Sequence, residues 1–194
     1  MSDLSGRAGS FPERPFLFSG CPEHSQSRNI SPTMEPSHHF VAAQGYLELG
    51  MLADAHERLG LVSEEERIHP RTLRLRVQLS IAGGDHRSAL AVCRQLNDLA
   101  PDDPAGYIHG AYCLHELGQT EEAREMLLNG PETLRDESIF FYNLGCYEAR
   151  LGEVDSACAW LLRSFQMNEE LRRFASRDPD LEDIWEDLRE TIDD

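Results

Sequence analysis

The sequence of 194 residues contains no lysine; all 18 of its basic residues are arginine. That removes the residue used for Schiff-base chemistry and for flexible point-charge contacts to phosphates. Such an arginine bias is also what a coding sequence rich in G and C produces. Aromatics are sparse at 8%, and positive charge is scarce, with 18 basic against 35 acidic residues and a formal net charge of −17. A chain this acidic offers little to neutralise a row of phosphates, so sequence-independent nucleic-acid binding and docking on an anionic membrane are excluded. The same acidity serves solubility or selects a neutral or basic partner. No apolar run approaches the ~18 residues of a membrane span. The five cysteines, Cys21, Cys93, Cys113, Cys146 and Cys158, are odd in number and form no C-x-x-C pair. They supply neither a disulfide framework nor a zinc site, and they suit a reducing compartment. Phe18-Ser19-Gly20-Cys21 looks like a lipoprotein cleavage box, but Asp3, Arg7, Glu13 and Arg14 precede it and no apolar run of signal length does. The expectation is a cytoplasmic protein.

Residues 1–35 are rich in Ser, Pro and Gly and lack apolar periodicity, which predicts a disordered tail. Within it, Phe11, Phe16, Leu17 and Phe18 are apolar enough to form a short sticky element that docks elsewhere. Met34 stands at the boundary and offers an alternative start of translation.

From Pro36 the character changes. Gly50, Gly84, Gly118 and Gly152 recur every 34 residues, and five residues after each comes Ala55, Ala89, Ala123 or Ala157. At ordinary composition this coincidence has a chance of about 10⁻⁷ at fixed phase, and about 10⁻⁴ once the choice of phase and residue is allowed for. Apolar residues recur at three and four on both sides of each glycine, as with Tyr107, Ala111, Leu114 and Leu117 before Gly118 and Ala123, Met126 and Leu127 after it. The pattern predicts two helices per unit. Glycine supplies the left-handed residue between them, and the alanine sits where they cross closely. Units are expected near 36–69, 70–103, 104–137 and 138–171, followed by a cap over 172–194 in which Asp178-Pro179-Asp180 restarts a helix whose apolar stripe is Leu181, Ile184, Trp185, Leu188 and Ile192. Asn168 to Asp194 carries 11 acidic and 4 basic residues, making the cap the most negative part of the chain. Gly130-Pro131 cuts the second helix of the third unit short, which predicts a weak joint there.

With this period and with Phe141-Tyr142-Asn143-Leu144-Gly145 and Leu99-Ala100-Pro101-Asp102-Asp103 at the expected phases, the chain resembles the tetratricopeptide repeat family. The resemblance spans residues 36 to about 171. It implies an all-α solenoid of four helix–turn–helix repeats whose first helices line a concave, peptide-holding face. Arg67 departs from the family's terminal proline in the first unit. Carried over residue by residue, that face contains Phe40, Gln44, Arg71, Arg74, Gln78, Ile108, Tyr112, His115, Tyr142, Cys146 and Arg150, flanked by Ile81, Glu116 and Ala149. Three arginines, two tyrosines and a single carboxylate predict a basic, aromatic groove on an acidic protein. Some family members clamp a chaperone's terminal carboxylate with Lys and Asn; here Phe40 and Gln44 stand at those positions, so no such clamp is expected.

No pattern of catalysis or cofactor binding stands out. His38-His39 are adjacent and His109 and His115 are six apart, spacings that place their rings on different helix faces and predict no metal. Gly83-Gly84-Asp85 is a repeat turn, too short for a phosphate loop. The expectation is a non-enzymatic protein–protein interaction scaffold in the bacterial style, without cofactor or metal, binding a protein or peptide partner. The competing readings are an acidic secretion-type chaperone for an exported protein and a structural homo-oligomer.

Overall fold

The computed structural model describes residues 35–193. The expectations for the tail, the cleavage-like box and Cys21 fall on residues outside that range. The described residues form an all-α chain without a strand: α1 (His38–Glu48), α2 (Leu52–Gly60), a single-turn α3 (Glu64–Arg67), α4 (Pro70–Ala82), α5 (His86–Leu99), α6 (Pro104–Glu116), α7 (Thr120–Leu128), α8 (Ser138–Leu151), α9 (Val154–Met167), α10 (Glu169–Ala175) and α11 (Trp185–Asp193). Two 3-10 segments, Glu132–Asp136 and Pro179–Ile184, complete it.

Each hairpin turns by the same device. Gly50, Gly84, Gly118 and Gly152 have φ of 71°, 75°, 80° and 86°, a region in which a side chain would crowd the carbonyl. The following N–H then reaches back to close the first helix. Met51 donates to Tyr46 O at 2.8 Å, Asp85 to Ser80 O at 2.8 Å, Gln119 to Leu114 O at 2.9 Å and Glu153 to Glu148 O at 2.9 Å. The four alanines are fully buried, as expected where two helices cross. Entry to the first helices of the first three units is set by side-chain caps: Ser37 on α1, His69 followed by Pro70 on α4, and Asp103 followed by Pro104 on α6.

The joint after α7 follows a short helix but is filled. Helix α7 stops at Leu128 after 9 residues, against 14 in α5 and α9. The 3-10 segment that follows drops Leu134 into the gap, only 1% exposed. Gly130 leaves the room it needs, since a Cβ there would come within 2.3 Å of Leu134 Cδ1. Thr133 Oγ1 also donates to Asp102 O at 2.8 Å, tying the joint to the preceding turn. The expected weakness is therefore bridged by packing from outside the repeat's own helices.

The core divides in two. A small cluster of Ala43, Ala55, Leu59, Val62, Leu75 and Leu79 holds the first unit to α4. A second runs without interruption from Leu73 to Leu188. The cap restarts at Asp178-Pro179, where the sequence places a helix start, but as a 3-10 segment that becomes α-helical only in α11. Leu171, Ala175, Leu181, Ile184 and Leu188 bury its apolar side. No helix among the described residues is long and apolar enough to cross a membrane.

Candidate binding face

Nine of the eleven residues expected on the concave face separate into two groups with different fates. On α1 and α4, Gln44 is exposed and Phe40 and Gln78 are half-buried. The Arg71 guanidinium lies over the Phe40 ring at 5.4 Å and pairs with Glu66 at 2.9 Å. Glu66 also accepts the Ser37 N–H at 3.0 Å, so this network is the joint between the first and second units. Burial pushes the Glu66 carboxyl up, but the Ser37 donor and Arg71 outweigh it and hold it below the usual range. The neighbouring His69 is pushed down by burial and by Arg71 and Arg74. A neutral imidazole is what its position requires, since Nδ1 accepts the Arg71 N–H at 3.3 Å and caps α4. Arg74 pairs with Asp103, its Nε donating at 2.8 Å, while the other Asp103 oxygen caps Ala105 at 3.0 Å. Here the arginine is 43% exposed and the carboxylate 7%.

The second group converges on the chain's own C-terminal segment. The Tyr142 hydroxyl donates to Asp178 Oδ2 at 2.8 Å, and Cys146 Sγ lies 3.9 Å from the same oxygen. His115 Nε2 is 3.1 Å from Asp180 Oδ2 and its Nδ1 is 3.1 Å from Thr120 Oγ1. Arg150 Nε approaches Asp180 Oδ1 at 3.9 Å. Asp178 also caps the 3-10 segment, its Oδ1 accepting the Asp180 N–H at 3.1 Å. These carboxylates were not foreseen as groove residues. Asp178-Pro179-Asp180 reads correctly as a helix start, but nothing local says which face it lies against.

Three expectations change as a result. Tyr142 and Cys146 are buried at 1% and 0% exposure, and Ile108 and Ile81 join the core at 2% and 7%. They are walls and floor rather than open surface. Tyr112 stays half-buried, its ring 5.7 Å from that of His86. The groove is also not a basic stripe, because Arg71, Arg74 and Arg150 each have a carboxylate of this chain at hand in Glu66, Asp103 and Asp180. Finally, the acidic cap is not uniformly negative. Arg172, Arg173 and Arg189 gather with Trp185 and Ile192 around an open cleft between α10 and α11.

Cys146, Asp178 and Asp180 place a sulfur and two carboxylate oxygens within 4.8 Å of one another, the one such group of potential metal ligands among the described residues. Both Asp178 oxygens already accept hydrogen bonds, which makes the group a polar anchor for the cap. His38 and His39 do not diverge as expected: their ring centroids lie 3.9 Å apart with the planes tilted by 40°, because the ~100° between successive helix residues still leaves neighbouring rings within reach. Among the described residues Cys93, Cys113, Cys146 and Cys158 form no disulfide and are buried. Burial raises Cys93 and Cys158, and burial together with Glu116 pushes Cys113 up to about 12. Thiols so shifted remain protonated at neutral pH and are poor nucleophiles.

A family model described as tetratricopeptide repeat matches residues 80–140, from the end of α4 to the start of α8.

Proposed function

We propose that this tetratricopeptide repeat protein is a non-catalytic scaffold that holds an extended, carboxylate-bearing segment of a partner protein against the first helices of its first two units. Repeats of this family generally mediate protein–protein interaction. One observation carries the finer reading: first-helix side chains of the third and fourth units already hold two carboxylates of a turn, through a tyrosine hydroxyl, an imidazole and a guanidinium. The same face continues over α1 and α4 through Phe40, Gln44, Arg74 and Gln78. There the exposed part of the Arg74 guanidinium has donors beyond the two used on Asp103, since the group carries five. Phe40 and Tyr112 supply aromatic surface at either end of that stretch.

Replacing Arg74 by glutamate would set a second carboxylate beside the buried Asp103, and so would test the fold together with binding. Gln44→Glu and Gln78→Glu are cleaner because Gln44 is exposed and Gln78 only half-buried. Affinity capture from the source organism, read by mass spectrometry, should return a partner with the native chain and lose it with either variant at unchanged helicity. Capture indifferent to both substitutions would move the surface off this face. A partner that is itself an exported protein would favour the chaperone reading. Retention of a stable self-complex in light scattering would favour the oligomer.

A further inference from the structure

The contacts at the C-terminal end have the form of a bound ligand. Residues Asp178 to Ile184 lie against α8, and they are met by Tyr142, Cys146 and Arg150, positions a peptide would use, together with His115 from the preceding unit. The segment presents two carboxylates across a proline, then Leu181 and Ile184, buried at 0% and 3% exposure. It is a 3-10 segment of six residues between short helices, so its own backbone contributes little and its position depends on tertiary contacts. Its polar half is met by the Tyr142 hydroxyl, the Cys146 thiol, the His115 imidazole and a longer guanidinium contact at the rim of the face.

We propose that the concave face of the fourth unit is a receptor for an acidic turn followed by leucine, filled in this structure by the chain's own Asp178–Ile184 segment, and that a partner bearing such a turn enters by displacing it. The inference rests on the scaffold reading and adds the recognised motif and its control. Tethering gives the internal segment an effective concentration of roughly millimolar order. A partner's apparent affinity is its intrinsic affinity scaled by the fraction of chains in which the segment is out. Weakening the internal contact therefore strengthens external binding, which a permanent structural cap would not do.

The probe is a fluorescently labelled synthetic peptide with the sequence of residues 176–188, titrated into the full chain and followed by anisotropy. Wild type should bind it weakly, and Asp180→Ala, which leaves the Asp178 cap in place, should bind it about tenfold more tightly. Replacing only the first aspartate of the peptide by asparagine should remove roughly that gain in Asp180→Ala, because the peptide alone then lacks the carboxylate that meets the Tyr142 hydroxyl. A control peptide with both aspartates replaced by asparagine should not bind. The proposal fails if Asp180→Ala retains its helicity yet binds no better than wild type, or if it takes the control peptide equally well. Should Asp180→Ala lose helicity, the isosteric Asp180→Asn carries the same test. Failure here with capture still lost in Gln44→Glu and Gln78→Glu would leave the scaffold reading standing. Loss of that dependence with peptide exchange intact would do the reverse.

Discussion

Helix α1 buries one residue, Ala43, whereas α8 buries an unbroken run from Phe140 to Glu148. Both belong to hairpins closed by a left-handed glycine and a six-to-one backbone bond. Their difference arises from what surrounds them. Helix α8 has α7 before it, α9 behind it and the C-terminal segment against a further side, while α1 packs on α2 and more lightly on α4. Val41, Leu49, Met51, Leu61 and Ile68 accordingly remain exposed in the first unit. Burial in a repeat array is thus conferred by neighbours, and a unit at an end takes its stability from whatever covers it.

The largest expected effect comes from emptying each core in turn. Leu161 is fully buried against Gly145, and Leu161→Ala should cost about 3–5 kcal/mol in urea unfolding. Leu59, 6% exposed in the small cluster, should lose about 2 kcal/mol on the same change, near the lower end of the range for such truncations. Equal losses would mean that the two clusters unfold as one. Adding a methyl group should even change sign between the ends. At Gly145 a Cβ would stand 2.5 Å from Leu161 Cγ and 3.2 Å from Ala157 O, so Gly145→Ala should destabilise by about 2 kcal/mol. At Gly45, inside α1 with nothing within 4 Å, Gly→Ala should stabilise by about 0.5–1 kcal/mol. A thermal melt of both variants decides this.

Smaller still is the turn itself. Gly152→Ala and Gly50→Ala meet no neighbour and incur only the backbone cost, about 1 kcal/mol. In hydrogen exchange the first should lower protection of α8 and α9 together, and the second should only fray α1 and α2.

The weakest contrast is with pH. His69 is held below its ordinary value of 6.5 by burial and two arginines. The unfolded chain therefore takes up the proton first, and stability at the joint of the first two units falls as pH drops below that value. Glu137, at the start of α8, is raised above its ordinary 4.5 by burial and by Asp136 and Asp103. Its sign is opposite, with stability rising as pH falls toward the carboxylate range. Amide exchange at pH 7 and 5.5 should show α1 and α4 loosening while α8 does not.

Much of the fold was legible because the repeat is written in local chemistry. The glycines, their partner alanines, Pro70 and Pro104 all act within a few residues of themselves. The face was legible only in part. Which residues project from the first helices follows from register, but what meets them does not. The Tyr142–Asp178 contact spans 36 residues and His115–Asp180 spans 65, and the helix-start pattern of Asp178-Pro179-Asp180 is the same on any surface. The pairing of Arg71 with Glu66 and Arg74 with Asp103 was missed because a charge total records signs without positions. Leu134 was missed for a related reason: a Gly-Pro break announces where a helix stops, but the residue that refills the gap belongs to no period.

The way the array ends gives the molecule a direction. The fourth unit's last helix runs to Met167, and a further unit in the same phase would begin near residue 172, where α10 already stands and the chain then folds back onto α8. Lengthening at that end would have to dismantle the terminus first. Each internal hairpin, by contrast, makes its closing bonds within itself. A duplicated stretch of 34 residues is therefore accommodated more readily between existing units than beyond the fourth.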